Sequence, residues 1–169
     1  VTYHHGDLRR QVLAAAVEVI AERGVAAVSL RDLARRAGVS HAAPAHHFTN
    51  RTGLLTALAT EGFRRLGEAL AGADGLADMG VAYVRFALAH PAHFRVMFDS
   101  DLLNPDDPDL AAARTATREQ LRAGVAGLPD TAALAAWSLA HGFATLRLDG
   151  NVPGDDPAEL FRRLTAMMF

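Results

Sequence analysis

The sequence predicts an all-α protein, with an N-terminal three-helix head that carries a helix-turn-helix and a helical domain behind it. Three observations carry that prediction. Apolar residues recur at spacings of three and four along most of the chain. No segment alternates as a half-buried strand would. The helical stretches are bounded by residues that start or stop helices, among them Gly24, Gly38, Asn50, Pro91 and Pro157.

Each element follows from its own residues. Leu8, Val12, Ala16 and Ile20, with Leu13 and Val17 beside them, make one stripe; Gly6-Asp7 starts this helix and Gly24 ends it. A second helix opens at Ser29, with Asp32 in the capping-box position, turns Leu30, Leu33, Ala34 and Ala37 inward and stops at Gly38. Val39 fills the corner, and Ser40 caps a short third helix reaching about Phe48. Asn50 caps the fourth, whose buried side is Leu54, Leu58, Phe63, Leu66 and Leu70. Beyond Gly72–Gly75 a long apolar helix carries Met79, Tyr83, Phe86 and Leu88 as far as His90. Pro91 begins a short helix with Phe94, Met97 and Phe98. An acidic, proline-containing loop at 104–109 leads to a helix near 109–127, and a further helix runs from Thr131 to about Leu148. After a loop at 150–154 comes the last helix, Pro157–Met168, with Leu160, Phe161 and Leu164 inward.

Composition bounds the function. The 169 residues are 50% hydrophobic and 21% charged, which fits a folded core and argues against a disordered tail. All 17 basic residues are arginine, and the net charge is −2. That charge is uneven: residues 1–55 carry +3 and the remainder −5. A basic front on an acidic body suits an anionic partner, although a solvated helix face accounts for the arginines equally. The absence of cysteine excludes a disulfide framework, a thiolate zinc site and a cysteine nucleophile. No apolar run approaches the roughly 20 residues that span a bilayer, and no secretory signal is visible, so a cytoplasmic protein with no membrane partner is expected.

The informative stretch is Leu30 to Phe48. Two helices meet there at Ala37-Gly38-Val39-Ser40, where a left-handed Gly38 lets the chain turn sharply and Ser40 serves the next N-terminus. Many helical corners share a glycine, so further residues decide. "VSLRDLARRAGVSHAAPAHHFTNRTGLLTAL" (Val28–Leu58) resembles the DNA-binding module of TetR-type transcriptional repressors. "YHHGDLRR" (Tyr3–Arg10), "YVRFALAHPAHFRVMF" (Tyr83–Phe98) and "AWSLAHG" (Ala136–Gly142) are similar to one subgroup, named for the Trp-His-Gly signature of its C-terminal domain.

The resemblance implies a DNA-binding domain at 1–55 and a ligand-binding and dimerisation domain at 56–169. The third helix would enter the major groove, presenting Ser40, His41, Ala42 and Ala43 to base edges or nearby phosphates. Arg31 would reach the groove or backbone; His46 and His47 belong to the same surface, with His47 on a phosphate and Phe48 as core anchor. Arg51 stands where the family has lysine, at the start of the fourth helix, where its charge and the helix dipole favour a phosphate. The family's tyrosine is Ala45 here. Gly53 weakens the fourth helix by about 1 kcal/mol relative to alanine. Pro44 sits one residue beyond the free first-turn donors, and the resemblance implies that it is tolerated there.

The resemblance also implies a small-molecule effector, unidentified by the sequence, in a pocket among Phe63, Met79, Tyr83, Phe86, Phe94, Met97, Phe98, Trp137 and His141. For Trp137 and His141, one turn apart, plain core packing is the stronger reading over direct ligand contact, with Gly142 permitting close helix approach. Leu139, Phe143, Leu146, Leu160, Phe161 and Leu164 are the expected interface of a homodimer that reads a palindromic double-stranded operator. The function implied is a sequence-specific regulator, a repressor released by its effector. A module of the same fold that has lost DNA recognition is one rival. A small helical enzyme using His141, or the His90/His93 pair, is another. No nucleophile–base–acid set supports catalysis, and eight histidines without cysteine or an HExxH unit do not make a metal site, so no cofactor is expected.

Overall fold

The computed structural model describes residues 5–40, 43–127, 129–154 and 156–168, the side chains of residues 5–7 excepted. Helices α1 (His5–Arg23), α2 (Leu30–Arg36), α3 (Ala45–Phe48) and α4 (Arg51–Ala71) come first. They are followed by α5 (Gly75–Ala89), α6 (Pro91–Met97), α7 (Pro108–Gly124), α8 (Asp130–Leu148) and α9 (Pro157–Met168). Two 3-10 turns, Val25–Ala27 and Ser100–Leu102, complete the regular structure, and no strand occurs among the described residues. None of these helices is long and apolar enough to cross a membrane.

The chain packs as two units, one of residues 1–62 and 92–111, the other of 63–91 and 112–169. In the first, the α1 stripe is buried at Leu8, Val12, Leu13, Ala16 and Ile20, with Val19 inside where Val17 was expected and Val17 half-buried; Leu33, Ala34, Phe48, Leu54 and Leu58 lie inside with them. The later stretch 92–111, with buried Phe94, Val96 and Met97, returns to complete this unit. That return is not readable along the chain, because periodicity reports which side of a helix is buried and carries no signal for what covers it. Within this unit the Asn104 amide donates to Thr56 Oγ1 at 2.9 Å.

In the second unit α5 packs against α8 and α9. Met79, Val81, Tyr83, Val84 and Phe86 are buried from α5, Ala140, Phe143 and Ala144 from α8, and Ala158 and Phe161 from α9. The close approach of α9 to α5 is made at Gly80, where a Cβ would overlap the Phe161 ring. Gly142, expected to serve that purpose, has nothing within 4 Å of its Cβ position. Arg147 ties down the α8–α9 loop by donating from Nη1 to the Val152 carbonyl at 2.6 Å. Asp156 caps α9 through the Ala158 amide at 2.9 Å.

Candidate nucleic-acid interface and interhelical cavity

The turn between α2 and α3 begins as the sequence dictates. Gly38 has φ 67°, and the Val39 amide returns to the Ala34 carbonyl at 3.0 Å. Val39 is half-buried in the corner. The capping box does not form: the Ser29 side chain makes no cap bond. Asp32 is spent on ion pairs instead, with Arg23 at 2.8 Å and with Arg35 and Arg36 on its own helix. The hydrogen bonds from Arg35 and Arg23 hold its carboxyl below the ordinary carboxylate range.

The third helix is shorter than expected. It spans Ala45–Phe48, with buried Pro44 at its N-cap, rather than opening at Ser40. Proline disfavours helical backbone in the residue before it, which is Ala43, so the chain makes a separate turn there, Ala43 N to Ser40 O at 3.0 Å. A tight corner then joins α3 to α4. Thr49, at φ 56° and ψ −54°, is the one non-glycine with positive φ among the described residues, and the Asn50 amide donates back to the Phe48 carbonyl. Asn50 Oδ1 caps α4 through the Gly53 amide at 2.9 Å. A Cβ on Gly53 would overlap the Phe48 carbonyl oxygen. Glycine is therefore the residue this corner requires.

The arginines of this unit divide by what they already hold. Arg23, Arg35 and Arg36 serve Asp32 and Glu22. Arg9 stands over the Phe48 ring at 5.6 Å. Arg51 is directed into the protein, donating from Nε to the Val28 carbonyl at 3.1 Å and from Nη2 to the Val25 carbonyl at 2.9 Å. Arg31 is exposed and enters no hydrogen bond or ion pair among the described residues.

The second unit holds a cavity of about 360 Å³ among α5, α7, α8 and α9. Met79 and Tyr83 line one side, Leu121 and Val125 another, with Leu134, Trp137 and Phe161 among the rest. Polar groups at its edge are joined to one another. The Tyr83 hydroxyl lies 2.9 Å from His141 Nδ1 and accepts from Trp137 Nε1 at 3.3 Å. Burial pushes the Tyr83 hydroxyl above its ordinary range and holds the His141 imidazole below its own. A neutral His141 with Nδ1 bare is the form that accepts the tyrosine proton.

Two family models match the chain. Residues 12–58 match the model of bacterial regulatory proteins of the tetR family, and residues 76–168 match the tetracyclin repressor-like C-terminal domain. The chain belongs to the TetR family. It is a DNA-binding transcriptional regulator. Among solved structures, a protein of unknown function from Rhodococcus sp. RHA1 is 38% identical, with 98% of this chain and 95% of that one covered and a TM-score of 0.76. The TetR family transcriptional regulator PfmR from Thermus thermophilus is 26% identical over 91% of this chain and 94% of its own, at a TM-score of 0.66. A tetR-family protein from Rhodococcus RHA1, 24% identical over 95% and 94%, shares the fold at a TM-score of 0.73. No curated protein matches the chain.

The residues singled out by sequence fall into place unevenly in this TetR-family chain. Arg31, Ser40 and His46 are exposed and Ala43 and His47 half-buried, while His41 and Ala42 lie outside the described residues. Of the expected pocket residues, Met79, Tyr83 and Trp137 line the cavity, and His141 reaches it through Tyr83. Phe63, Phe86, Phe94, Met97 and Phe98 do not line it. Phe94 and Phe98 pair edge to face at 5.4 Å, Phe86 stands 5.3 Å from His90, and Phe63 lies under Arg114. Trp137 is 42% exposed, which sets it at the cavity edge and not in a closed core. Of the expected dimer residues, Phe143 and Phe161 are buried against each other at 5.4 Å, inside the unit. Leu146 is exposed, Leu160 and Leu164 are half-buried, and Leu139 lines the cavity. His93 is buried with Nε2 3.8 Å from Glu61 Oε1. Sequence reasoning missed Arg118, Leu121, Arg122 and Val125 of the α7 region, whose three- and four-residue spacing is the signal that marks one helix face.

Proposed function

We propose that this regulator is a homodimeric repressor whose 1–55 segment binds a palindromic double-stranded operator and whose 56–169 segment holds a small-molecule effector. The observation that carries the reading is the exposed series Arg31, Ser40 and His46 around the Gly38 turn, set against buried Pro44 and Phe48 beneath it. His41, Ala42, Ala43 and His47 complete the proposed contact surface. Arg31 supplies an uncommitted cation to a phosphate or base edge, and Arg51 acts as a positioning residue through its two carbonyl bonds. The interhelical cavity is the effector site, and effector binding lowers operator affinity by favouring one of two arrangements of the dimer. Exposed Leu134 and Leu146 on α8 and Met167 and Met168 on α9 are the apolar surface offered to the second copy. The regulator acts in the cytoplasm and catalyses no reaction.

Salt dependence of affinity for a duplex selected from a random pool tests this reading. Affinity is expected to fall steeply with salt, and Arg31→Ala to reduce the slope of log K against log salt by about one. A flat, weak response on every duplex would instead support a module that has kept the fold and lost DNA recognition, a reading that Ala45 and the one-turn α3 favour.

A further inference from the structure

The cavity has an apolar body and a cationic rim. Among the described residues its only charged lining groups are Arg118 and Arg122, and no acidic side chain lines it. The two arginines stand one turn apart on α7, where like charges repel, and neither enters a hydrogen bond or ion pair among the described residues. The other polar groups of the lining are spent. Tyr83 is engaged by His141 and Trp137, and Thr165 Oγ1 donates to the Phe161 carbonyl at 3.0 Å. Unused hydrogen-bonding capacity in the lining side chains is therefore concentrated in two guanidiniums, which offer a bidentate geometry to an oxyanion.

We propose that the cavity takes an organic monocarboxylate whose unbranched apolar body lies among Met79, Leu121 and Phe161 and whose carboxylate lies on Arg118 and Arg122. This rests on the reading of the cavity as the effector site. Size sets the scale of the probe: at about 360 Å³ the cavity lies at the small end of the range for pockets that hold small organic molecules, which suits a body of about ten carbons. Decanoate is of that size. An uncharged ligand of the same length leaves the arginine pair repelling, and an ammonium adds to the repulsion.

The chain contains one tryptophan, and it lines the cavity, so Trp137 emission reads occupancy directly. Decanoate, 1-decanol and decylamine are titrated in turn below their micellar concentrations. Decanoate is expected to shift the emission saturably and to bind at least about tenfold more tightly than 1-decanol, with decylamine weakest. The Arg118→Gln/Arg122→Gln double variant, altered only at exposed positions, is expected to bring acid and alcohol to near parity with its thermal midpoint unchanged. Parity between acid and alcohol in the parent chain overturns the charge recognition while leaving an apolar effector cavity. An undiminished preference in the double variant overturns the assignment to these arginines. Silence from all three probes overturns the cavity reading itself, whereas the salt dependence of DNA binding is independent of every one of these results.

Discussion

Gly53 shows how a single residue escapes a propensity rule. By intrinsic preference, alanine in the first turn of α4 is the better helix former, and the sequence marks glycine there as a weakness. The corner reverses the sign, because the Phe48 carbonyl occupies the space of a Cβ and backbone cannot swing aside as a flexible side chain does. Gly53→Ala is expected to destabilise the protein by about 1–3 kcal/mol, read as a lower urea midpoint at unchanged m value. Arg51 makes a parallel case. Its position at the start of α4 suggests a phosphate ligand, yet two of its donors serve the Val25 and Val28 carbonyls. Removing them with Arg51→Met is expected to cost about 1.5–3 kcal/mol in urea unfolding. Both residues were visible in the sequence; what was not visible is the carbonyl each one faces, since backbone acceptors carry no side-chain signature.

At the scale of elements, the helices were legible because their buried faces repeat every three or four residues, and the segment that matters most was the least legible. Ser40 has the chemistry of an N-cap, and Pro44 four residues on prevents the helix from beginning there. Exposure was also hidden: the period that places Trp137 on an apolar face of α8 does not say whether a neighbour covers it. The link between α5 and α8 is expected to depend on pH. The folded pKa of His141 is lowered below its ordinary 6.5 by burial, so as pH falls the unfolded chain takes up this proton first. The stability it contributes is complete above pH 6.5 and declines as pH drops from there toward the folded value. Urea midpoints measured from about pH 7.5 down to about 5.5 are expected to fall more steeply in the parent chain than in His141→Gln, and equal slopes would contradict the assignment.

For the whole molecule, charge asymmetry and helical pattern conveyed a basic front and an acidic helical remainder, while DNA binding was implied only by the resemblance of Val28–Leu58; the family models match residues 12–58 and 76–168. Assembly is the property one chain displays only indirectly. Leu146 is 47% exposed on α8, a large apolar side chain that a second copy would cover. Leu146→Glu is expected to shift the light-scattering mass from dimer toward protomer and to weaken operator binding, because two weakly held heads depend on each other for affinity.

Pairing of the heads on DNA is tested most directly by the spacing between half-sites. Two copies of the α2–α3 segment reading successive turns require half-site centres about 34–36 Å apart, close to ten base pairs. Starting from a selected inverted repeat, insertion of about five base pairs at its centre, half a helical turn, moves one half-site to the opposite side of the duplex. Paired heads predict that this insertion reduces binding to single-site strength. Affinity unchanged by the insertion would contradict the account.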